Sequence, residues 1–579
     1  MTKIVDTDVL IVGAGPAGAA ASVLLGRAGI SNIMLSRYRG PADSPRAHVK
    51  NQRAMEVMRD VGLEEECLAK GAPADQIAHT FWLNSMSGEE LARAWSWGND
   101  PARIGEYIAS SPCSIIDLPQ TDLEPILVGE ATRLGAHVRF GWDFQSFTQD
   151  ESGVTAQIVD RLSEAPITVR AKYMIGADGA RSKIVQQLGL PLAGHQVVGD
   201  VFSVFCEIDL SRYVSDRPGS LFNVVDPDGD PDLPVAVYRM VRPWNEWLVT
   251  LIAPLGRQME PTLADFERRI RQTVKDDSLP LNILSSSKWQ VNDINAERYS
   301  EGRVFCIGDA VHRHPPANAL GSNTCVQDAF NLAWKLALVI KGRADAKLLD
   351  SFNAERQPVG AQIVARANQS FRMNAMMWDT FGAGIVSQKT PEERDAVFDT
   401  PEGRAKLHDT LDTAMPQMWH GHGVEMTRRY ESDAIVPDGT PEEEPVGDPE
   451  VYHRPSARPG AVVPHAWLVK RTPGPRVSTL DLAGKNRFHL FIGHGGDAWR
   501  EAATAASARL GIDIGVTAIG HRLDYEDPYG TWRSISAIAE DGCVLVRPDL
   551  IVGWRSHSLP DDPATALDGV MNHILGYAA

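Results

Sequence analysis

Uninterrupted apolar residues from Val9 to Val12 are followed by Gly13-Ala-Gly-Pro-Ala-Gly18 and an Ala- and Leu-rich stretch to Arg27, which predicts strand, tight turn and helix in that order. A second strand is expected over Asn32 to Leu35, and Ser44 to Arg53 lead into a helix through Val57 to Gly62. Between about Ala74 and Cys113 the pattern changes: Trp82, Trp95, Trp97 and Tyr107 stand among Gly, Ser and charges, as in strands and loops of a separate layer. Ile115 to Gln120 then open a helix over Thr121 to Leu134. Val138 to Asp160 read as a hairpin turned at Asp150 to Gly153, and Ile167, Val169, Ala171, Tyr173 and Ile175 alternate with their neighbours at period two. Residues 191 to 290 are rich in β-branched and aromatic residues with turns such as Pro227 to Pro231, an antiparallel sheet with one face suited to covering a ring. Val304 to Ile307 form another apolar run, broken at Gly308-Asp309 and followed by a Pro-containing loop and a long apolar helix from near Ser322. A helical region from Phe352 to Ala367, a Pro- and charge-rich segment near Thr390 to Gly403 and a polar linker from Asp438 to Pro445 precede strands at Phe488 to Ile492 and Val544 to Val546.

At 579 residues the chain exceeds one core and suggests roughly three domains. A net charge of −18 without a basic block argues against a nucleic-acid surface. The six cysteines (67, 113, 206, 306, 325 and 543) form no CxxC and no regular spacing, which argues against a disulfide framework or zinc site and for a reduced, cytoplasmic setting. Lys3 is offset by Asp6 and Asp8, so no secretory signal is expected, and no apolar run reaches the length of a membrane span.

Candidate chemistry begins at the glycines. Gly13 suits the tight turn, Gly15 the approach of a pyrophosphate, and Gly18 close packing of helix on strand. The acidic residue that would hold an adenosine ribose about 20 positions on is replaced by Arg37, which leaves a resident NADP open. Arg46 and Arg53 suit phosphate. His48 is open to a catalytic or a structural reading, and so is Gln120 as a ring contact or a capping residue. Asp178-Gly179 and Arg181 follow a strand, and Asp309 follows another just before the amino end of a helix that contains Asn323. A carboxylate there suits a polyol, and the helix end suits a ring that becomes anionic, as in a flavin with its ribityl chain. Arg242, beside Tyr238 and Trp244, is open to stacking on a flavin or to a plain surface role. His312 and His314 lack the acidic or cysteine partners of a metal site, and no metal is expected.

The order GxGxxG, Asp178-Gly179, Gly308-Asp309, with PRAHVKNQRAMEVMRDVGL, DLPQTDLEPIL, YMIGADGARS, RMVRPWNEWL and GDAVHRHPPANALGSNTCVQDAFNLAWKL, resembles the single-component flavoprotein aromatic hydroxylases of the para-hydroxybenzoate hydroxylase type. Within them it looks nearest to the branch of 2,4-dichlorophenol 6-monooxygenase and 2-hydroxybiphenyl 3-monooxygenase. The resemblance implies an α/β plus α+β architecture. A Rossmann-like FAD-binding domain (1–75, 116–190, 291–370) is interleaved with an antiparallel substrate sheet (76–115, 191–290), followed by a helical segment and linker (371–440) and a thioredoxin-like domain (441–579). It implies FAD as cofactor, NADPH or NADH as transient donor, O2, and a C4a-hydroperoxyflavin that hydroxylates a phenol or hydroxy-heteroaromatic ring ortho to its hydroxyl. Gly13, Gly15, Gly18, Arg37, Arg46, Gln120, Asp178, Arg181, Asp309 and Asn323 become FAD or NAD(P)H contacts, His48 the base and Arg242 a flavin-proximal residue. A small aromatic substrate, no nucleic acid, no membrane and a homo-oligomer are expected. One departure is Asn318-Ala319, where the family loop usually carries a glycine pair. A reductase or halogenase of the same fold shares the FAD motifs and stays open, whereas a non-catalytic nucleotide-binding protein leaves the Asp178 and Asp309 segments unexplained.

Overall fold

A computed structural model describes residues 3–577 apart from 227–229, 255, 384, 386–389, 443 and 471–472, so the expected turn at Pro227 to Pro231 and the linker Asp438 to Pro445 lie partly outside the described residues. Five parallel strands stand in the order Val304–Cys306, Pro166–Gly176, Lys3–Val12, Asn32–Ser36, His137–Phe140. Val9 to Val12 are apolar in succession because the middle of such a sheet is buried on both faces. Helix Pro16–Arg27 packs between Gln120–Arg133 and Leu320–Ile340. The stretch expected as one hairpin divides in two. His137–Phe140 joins the parallel sheet, Gly141 turns the chain at φ +80°, and only Trp142–Gln149 and Val154–Asp160 pair as the hairpin. Alternation in a sequence marks a strand but does not say which neighbour it will find.

A second, largely antiparallel sheet of eight strands runs His312–Arg313, Asn282–Ala296, Leu192–Glu207, Glu246–Ile252, Val235–Arg242, Gly219–Val225, His79–Leu83, Glu90–Trp95. Its alternation decides what faces what. Tyr238 and Met240 are fully buried, with the Tyr238 hydroxyl on Thr273 of helix Leu263–Val274 at 2.7 Å. Val237, Arg239 and Val241 take the opposite face.

The Pro- and charge-rich segment after residue 390 is two helices, Pro391–Asp399 and Pro401–Trp419. Thr390 and Thr400 cap them by accepting from the Glu393 and Gly403 amides, and each helix has Pro in its first turn, where no N–H is missed. Leu407, Ala414, Met418 and Trp419 share one core with the antiparallel sheet, so this hairpin of helices forms a wall of that layer.

Beyond it, a four-stranded sheet has the order Ile514–Ala518, Phe488–Ile492, Cys543–Val546, Val552–Ser556. Its first pair is parallel and the others antiparallel, and helices Asp497–Leu510 and Pro563–Ile574 pack together beside it. Trp334 and Leu348 from the nucleotide-type domain belong to its core. All six cysteines are free and buried. Among the described residues no helix is long and apolar enough to cross a membrane.

Candidate active site

Three stretches far apart in the chain meet at the carboxyl ends of the parallel strands. Gly13 has φ +115°, and a Cβ there would lie 2.0 Å from the Ala177 carbonyl oxygen and 3.1 Å from the Asp178 nitrogen. The first turn and the Asp178 segment are therefore in backbone contact. Gly308 turns at φ +64° with Ala17 Cβ 3.1 Å from where its own Cβ would be, which brings Asp309 to the same end of helix Pro16–Arg27. Gly18 has no room either, since its added Cβ would be 2.0 Å from the Gly13 carbonyl oxygen. Gly15 differs: the nearest atom to an added Cβ is Glu124 Oε1 at 3.7 Å, so the backbone at the helix start is open to a ligand.

The donor and acceptor set there fits FAD. Asp178 Oδ2 accepts from the Ile184 amide at 3.3 Å, while Oδ1 is buried with no partner among the described residues, and burial raises the carboxyl above its ordinary pKa. Such an oxygen suits a ligand hydroxyl or N–H. Asp309 is exposed beyond its turn, and so is Arg181. Gln120 donates its amide N–H to the Arg46 carbonyl at 2.8 Å and its side chain to Glu124 Oε1 at 2.5 Å, and Glu124 Oε2 accepts from Ala42 at 2.6 Å. The Arg46 guanidinium reaches Ser287 Oγ at 3.0 Å, tying this loop to the antiparallel sheet. Arg37 stands apart and exposed, its guanidinium over the Tyr38 ring at 5.1 Å. The Asn323 amide donates to Val49 and Ala319 carbonyls at 2.9 and 2.6 Å and accepts from Asn51 at 3.2 Å, so it pins the long helix to the strand after His48. With Gly13→Ala, the Cβ collides with the Ala177 carbonyl and φ is left-handed. The expected result is protein that purifies without flavin or not at all, read as the A450/A280 ratio against wild type.

Asp328 fixes the Gly308 turn from behind. Its Oδ2 accepts from the Gly308 amide at 3.0 Å and pairs with His312 Nε2 at 2.9 Å, and its Oδ1 accepts from Arg356 at 2.8 Å. His312 is thereby accounted for, and no group of three or more His, Cys, Asp or Glu among the described residues is placed to hold a metal.

His48 lies 6% exposed with Nδ1 3.0 Å from Asp117 Oδ1 and Nε2 2.9 Å from the Pro45 carbonyl. Asp117 Oδ2 accepts from Arg239 at 2.6 Å. Desolvation opposes ionisation of this carboxylate, but Arg239 and His48 outweigh it and hold its pKa below the ordinary value. Burial, with Asp117 opposing and Arg239 assisting, leaves the His48 imidazole neutral to lower pH than a free one. An ionised Asp117 assigns the ring proton to Nδ1 and leaves the Nε2 lone pair against the Pro45 carbonyl oxygen. In that neutral tautomer Nε2 is the ring's one site for a second proton, and the Pro45 carbonyl oxygen lies against it. Arg242 is not part of this cluster. It is half exposed and pairs with Glu246 at 3.3 Å and Asp122 at 3.6 Å.

Asp117 and Arg239 were not singled out from the sequence, although a lone Asp inside the apolar run Ile115 to Leu118 signals a buried, paired charge. Lys50 had no such signal. Its buried ammonium bonds the Ala47 carbonyl and Ser322 Oγ, and desolvation pulls its pKa down to about 8.

In the loop after the double proline, Asn318 and Ala319 both take left-handed φ, 56° and 51°. A glycine pair is the unstrained choice there, Asn tolerates the conformation, and Ala gains nothing in return. Ala319→Gly is expected to raise stability by about 1 kcal/mol, read from thermal denaturation of the FAD-loaded protein.

Residues 6–367 match the model of the FAD binding domain family, and residues 456–578 that of the aromatic-ring hydroxylase C-terminal family. The chain is 44% identical over 586 residues to 2,4-dichlorophenol 6-monooxygenase of Cupriavidus pinatubonensis (strain JMP 134 / LMG 1197), covering 100% of this chain and 97% of that one. The flavin-dependent monooxygenase PieE in complex with FAD and substrate superposes with a TM-score of 0.93 at 41% identity, over 99% of this chain and 100% of that one. Aklavinone-11 hydroxylase with FAD and aklavinone superposes with a TM-score of 0.81 at 28% identity, over 98% and 99%.

Proposed function

We propose that this chain, which belongs to the FAD-dependent aromatic-ring hydroxylases, hydroxylates a phenol or hydroxy-heteroaromatic ring ortho to an existing hydroxyl, with His48 as the base. The observation that carries the assignment is the buried His48 ring held between Asp117 and the Pro45 carbonyl. When bound, FAD reduced by NADPH or NADH supplies an electrophilic oxygen from O2, the general behaviour of this family. The rest of the chemistry falls to the protein. A phenol with a pKa near ~10 is mostly neutral at pH 7 and a poor nucleophile at its ortho carbon. His48 Nε2 takes its proton once the phenol hydroxyl replaces the Pro45 carbonyl against that nitrogen, and the imidazolium so formed donates from Nδ1 to the Asp117 carboxylate. Arg239 keeps Asp117 ionised throughout.

In this reading Gly13, Gly15 and Gly18 receive the pyrophosphate, with Arg37, Arg46 and Gln120 around the nucleotide half. Asp178 and Arg181 meet FAD and the passing NAD(P)H, Asp309 takes the ribityl chain, and Asn323 orders the helix end behind the ring. Arg242, at the rim with Asp122 and Glu246, guards the approach to the flavin. Residues 1–75, 116–190 and 291–370 form the FAD domain, 76–115 and 191–290 the substrate layer, and 371–440 its covering segment. For residues 441–579 a thioredoxin-like fold is supported by the order strand, helix, strand, then an antiparallel pair and a final helix. With Cys543 as the domain's single cysteine, its role is structural or in a homo-oligomer interface, and the free cysteines fit a cytoplasmic setting.

The relatives bracket the substrate between a chlorinated phenol and a polycyclic natural product. The deciding measurement is NADH and NADPH oxidation by the FAD-loaded protein, with peroxide quantified, over phenols and hydroxypyridines of increasing size. A substrate that accelerates oxidation without matching peroxide establishes coupled hydroxylation and ranks the cavity. Acceleration by none, with product absent, returns the chain to the reductase or halogenase alternative.

A further inference from the structure

Beside the His48 cluster, two short helices from distant parts of the chain, Ile104–Ser110 and His422–Met426, are joined by aromatic rings. Tyr107 stacks on His422 with centroids 3.8 Å apart and planes at 16°. The Gln52 side chain amide donates to the Tyr107 and Cys113 carbonyls at 2.8 and 2.9 Å, and its oxygen lies 3.1 Å from His422 Nε2. Gly98 backs onto the Tyr107 ring, whose nearest carbon would be 2.7 Å from an added Cβ. On the other side, Asn318 of the loop after the double proline donates to the Met418 carbonyl at 3.0 Å. This clamp sets Trp97 and Trp419 edge to face at 5.5 Å, and the Arg239 guanidinium lies 5.8 Å from the Trp97 ring centre. Trp97 itself is held at φ +54°, a conformation that bulky residues rarely keep without a reason.

Three donors in this constellation are buried and without a partner among the described residues: Trp97 Nε1, Trp419 Nε1 and Arg239 Nε. Each tryptophan is 7% exposed. A buried N–H left unbonded is costly, and an acceptor brought by a ligand relieves that cost. Trp82 and Trp334 also have unbonded indoles, but neither has a second orphaned donor among its ring contacts. Arg239 Nε belongs to the very guanidinium that holds Asp117 against His48, Trp97 lies over that guanidinium, and Trp419 packs on Trp97.

We propose that Trp97, Trp419 and Arg239 form an acceptor subsite for a second oxygen of the substrate, a ring carbonyl, alkoxy or additional hydroxyl oxygen, while the phenolic hydroxyl faces His48. This rests on the phenol hydroxylase reading above and narrows it to oxygenated aromatic rings. Unsubstituted and chlorinated phenols leave all three donors unmet. The subsite also orients the ring, because two anchored oxygens fix which ortho carbon is presented.

The test uses the FAD-loaded full chain and matched ligands, the three methoxyphenol isomers against the three ethylphenols, which differ by one oxygen for one methylene. Kd is read by calorimetry and coupled turnover by product formation. Trp97→Phe and Trp419→Phe keep the rings and remove the donors. The best methoxyphenol is expected to bind and turn over better than its ethyl counterpart in wild type, and either variant is expected to lose about five- to tenfold of that preference while the ethylphenol values hold. Equal losses for both ligand classes, or no wild-type preference in any isomer pair, overturn the subsite. If a variant fails to fold, the wild-type isomer comparison still decides. Absence of hydroxylated product from every ligand instead overturns the hydroxylase reading, and the two failures are thereby distinct.

Discussion

His48→Gln is expected to lower coupled turnover of a neutral phenol by about a hundredfold or more at pH 7, the range for losing a positioned general base. Glutamine can still donate to Asp117, so the buried carboxylate keeps a partner and the fold is not the variable. Two readouts separate a base from a structural residue. Wild-type kcat/KM falls as the pH drops through the His48 pKa, which burial places below the ordinary value of about 6.5, because only the neutral ring accepts a proton. The variant lacks that acid limb. Its rate instead climbs as pH approaches the substrate's own pKa, and a nitrophenol already ionised at pH 8 loses far less than an unsubstituted phenol. A uniform loss across pH and across phenol acidities would remove His48 from the chemistry.

Arg547→Met is expected to lower stability by about 3–5 kcal/mol, the cost of breaking a fully desolvated charge network from one side. The guanidinium is completely buried and bonds both Glu355 oxygens, at 2.6 and 2.9 Å, and both Asp549 oxygens, at 3.0 and 2.6 Å. Glu355 also accepts from Lys335 at 2.8 Å, Asn331 at 2.6 Å and Ser432 at 2.6 Å. Two carboxylates are thus balanced by one arginine and one lysine. Removing the arginine leaves a net buried negative charge at the seam between the C-terminal sheet and helix Leu320–Ile340. The same helix carries Asp328, which fixes the Gly308 turn, and Asn323, which pins the strand after His48, so flavin retention is expected to fall with stability. Urea unfolding followed by circular dichroism and by flavin fluorescence checks both, and coincident loss within 1 kcal/mol of wild type would mean the network is dispensable. The pH dependence has a definite sign. Desolvation alone would raise the Glu355 pKa, but Arg547 and Lys335 overcome it and hold it well below the ordinary value. Its contribution is present above the unfolded pKa near ~4.3 and is lost as pH falls toward the folded one.

How the sequence and the structure divide the information is clearest at single residues. Gly13 was readable because a GxGxxG between an apolar run and an Ala-rich helix has one local solution, and the left-handed φ at Gly13 is local too. The parallel strand over Asn32 to Ser36 and the strand at Phe488 to Ile492 declared themselves for the same reason, since a short apolar run specifies burial on both faces. Near Thr390 to Gly403, inside the stretch expected as helical segment and linker, Pro391 and Pro401 start two helices, and the caps that make this possible depend on side-chain bonds from Thr390 and Thr400.

The chain's local pattern therefore determined its strands, its glycine-rich first turn, the family to which its motifs belong, and His48 as a titratable candidate. Only the tertiary structure decided what that histidine touches. Asp117 lies 69 residues along the chain from His48, Arg239 lies 122 from Asp117, and Trp97, just past strand Glu90–Trp95, meets Trp419 at the end of helix Pro401–Trp419. Pairings over such separations carry no periodicity. They are set by which strands become neighbours and by the cost of leaving a buried charge or N–H unmet, and that cost is settled only when the layers close.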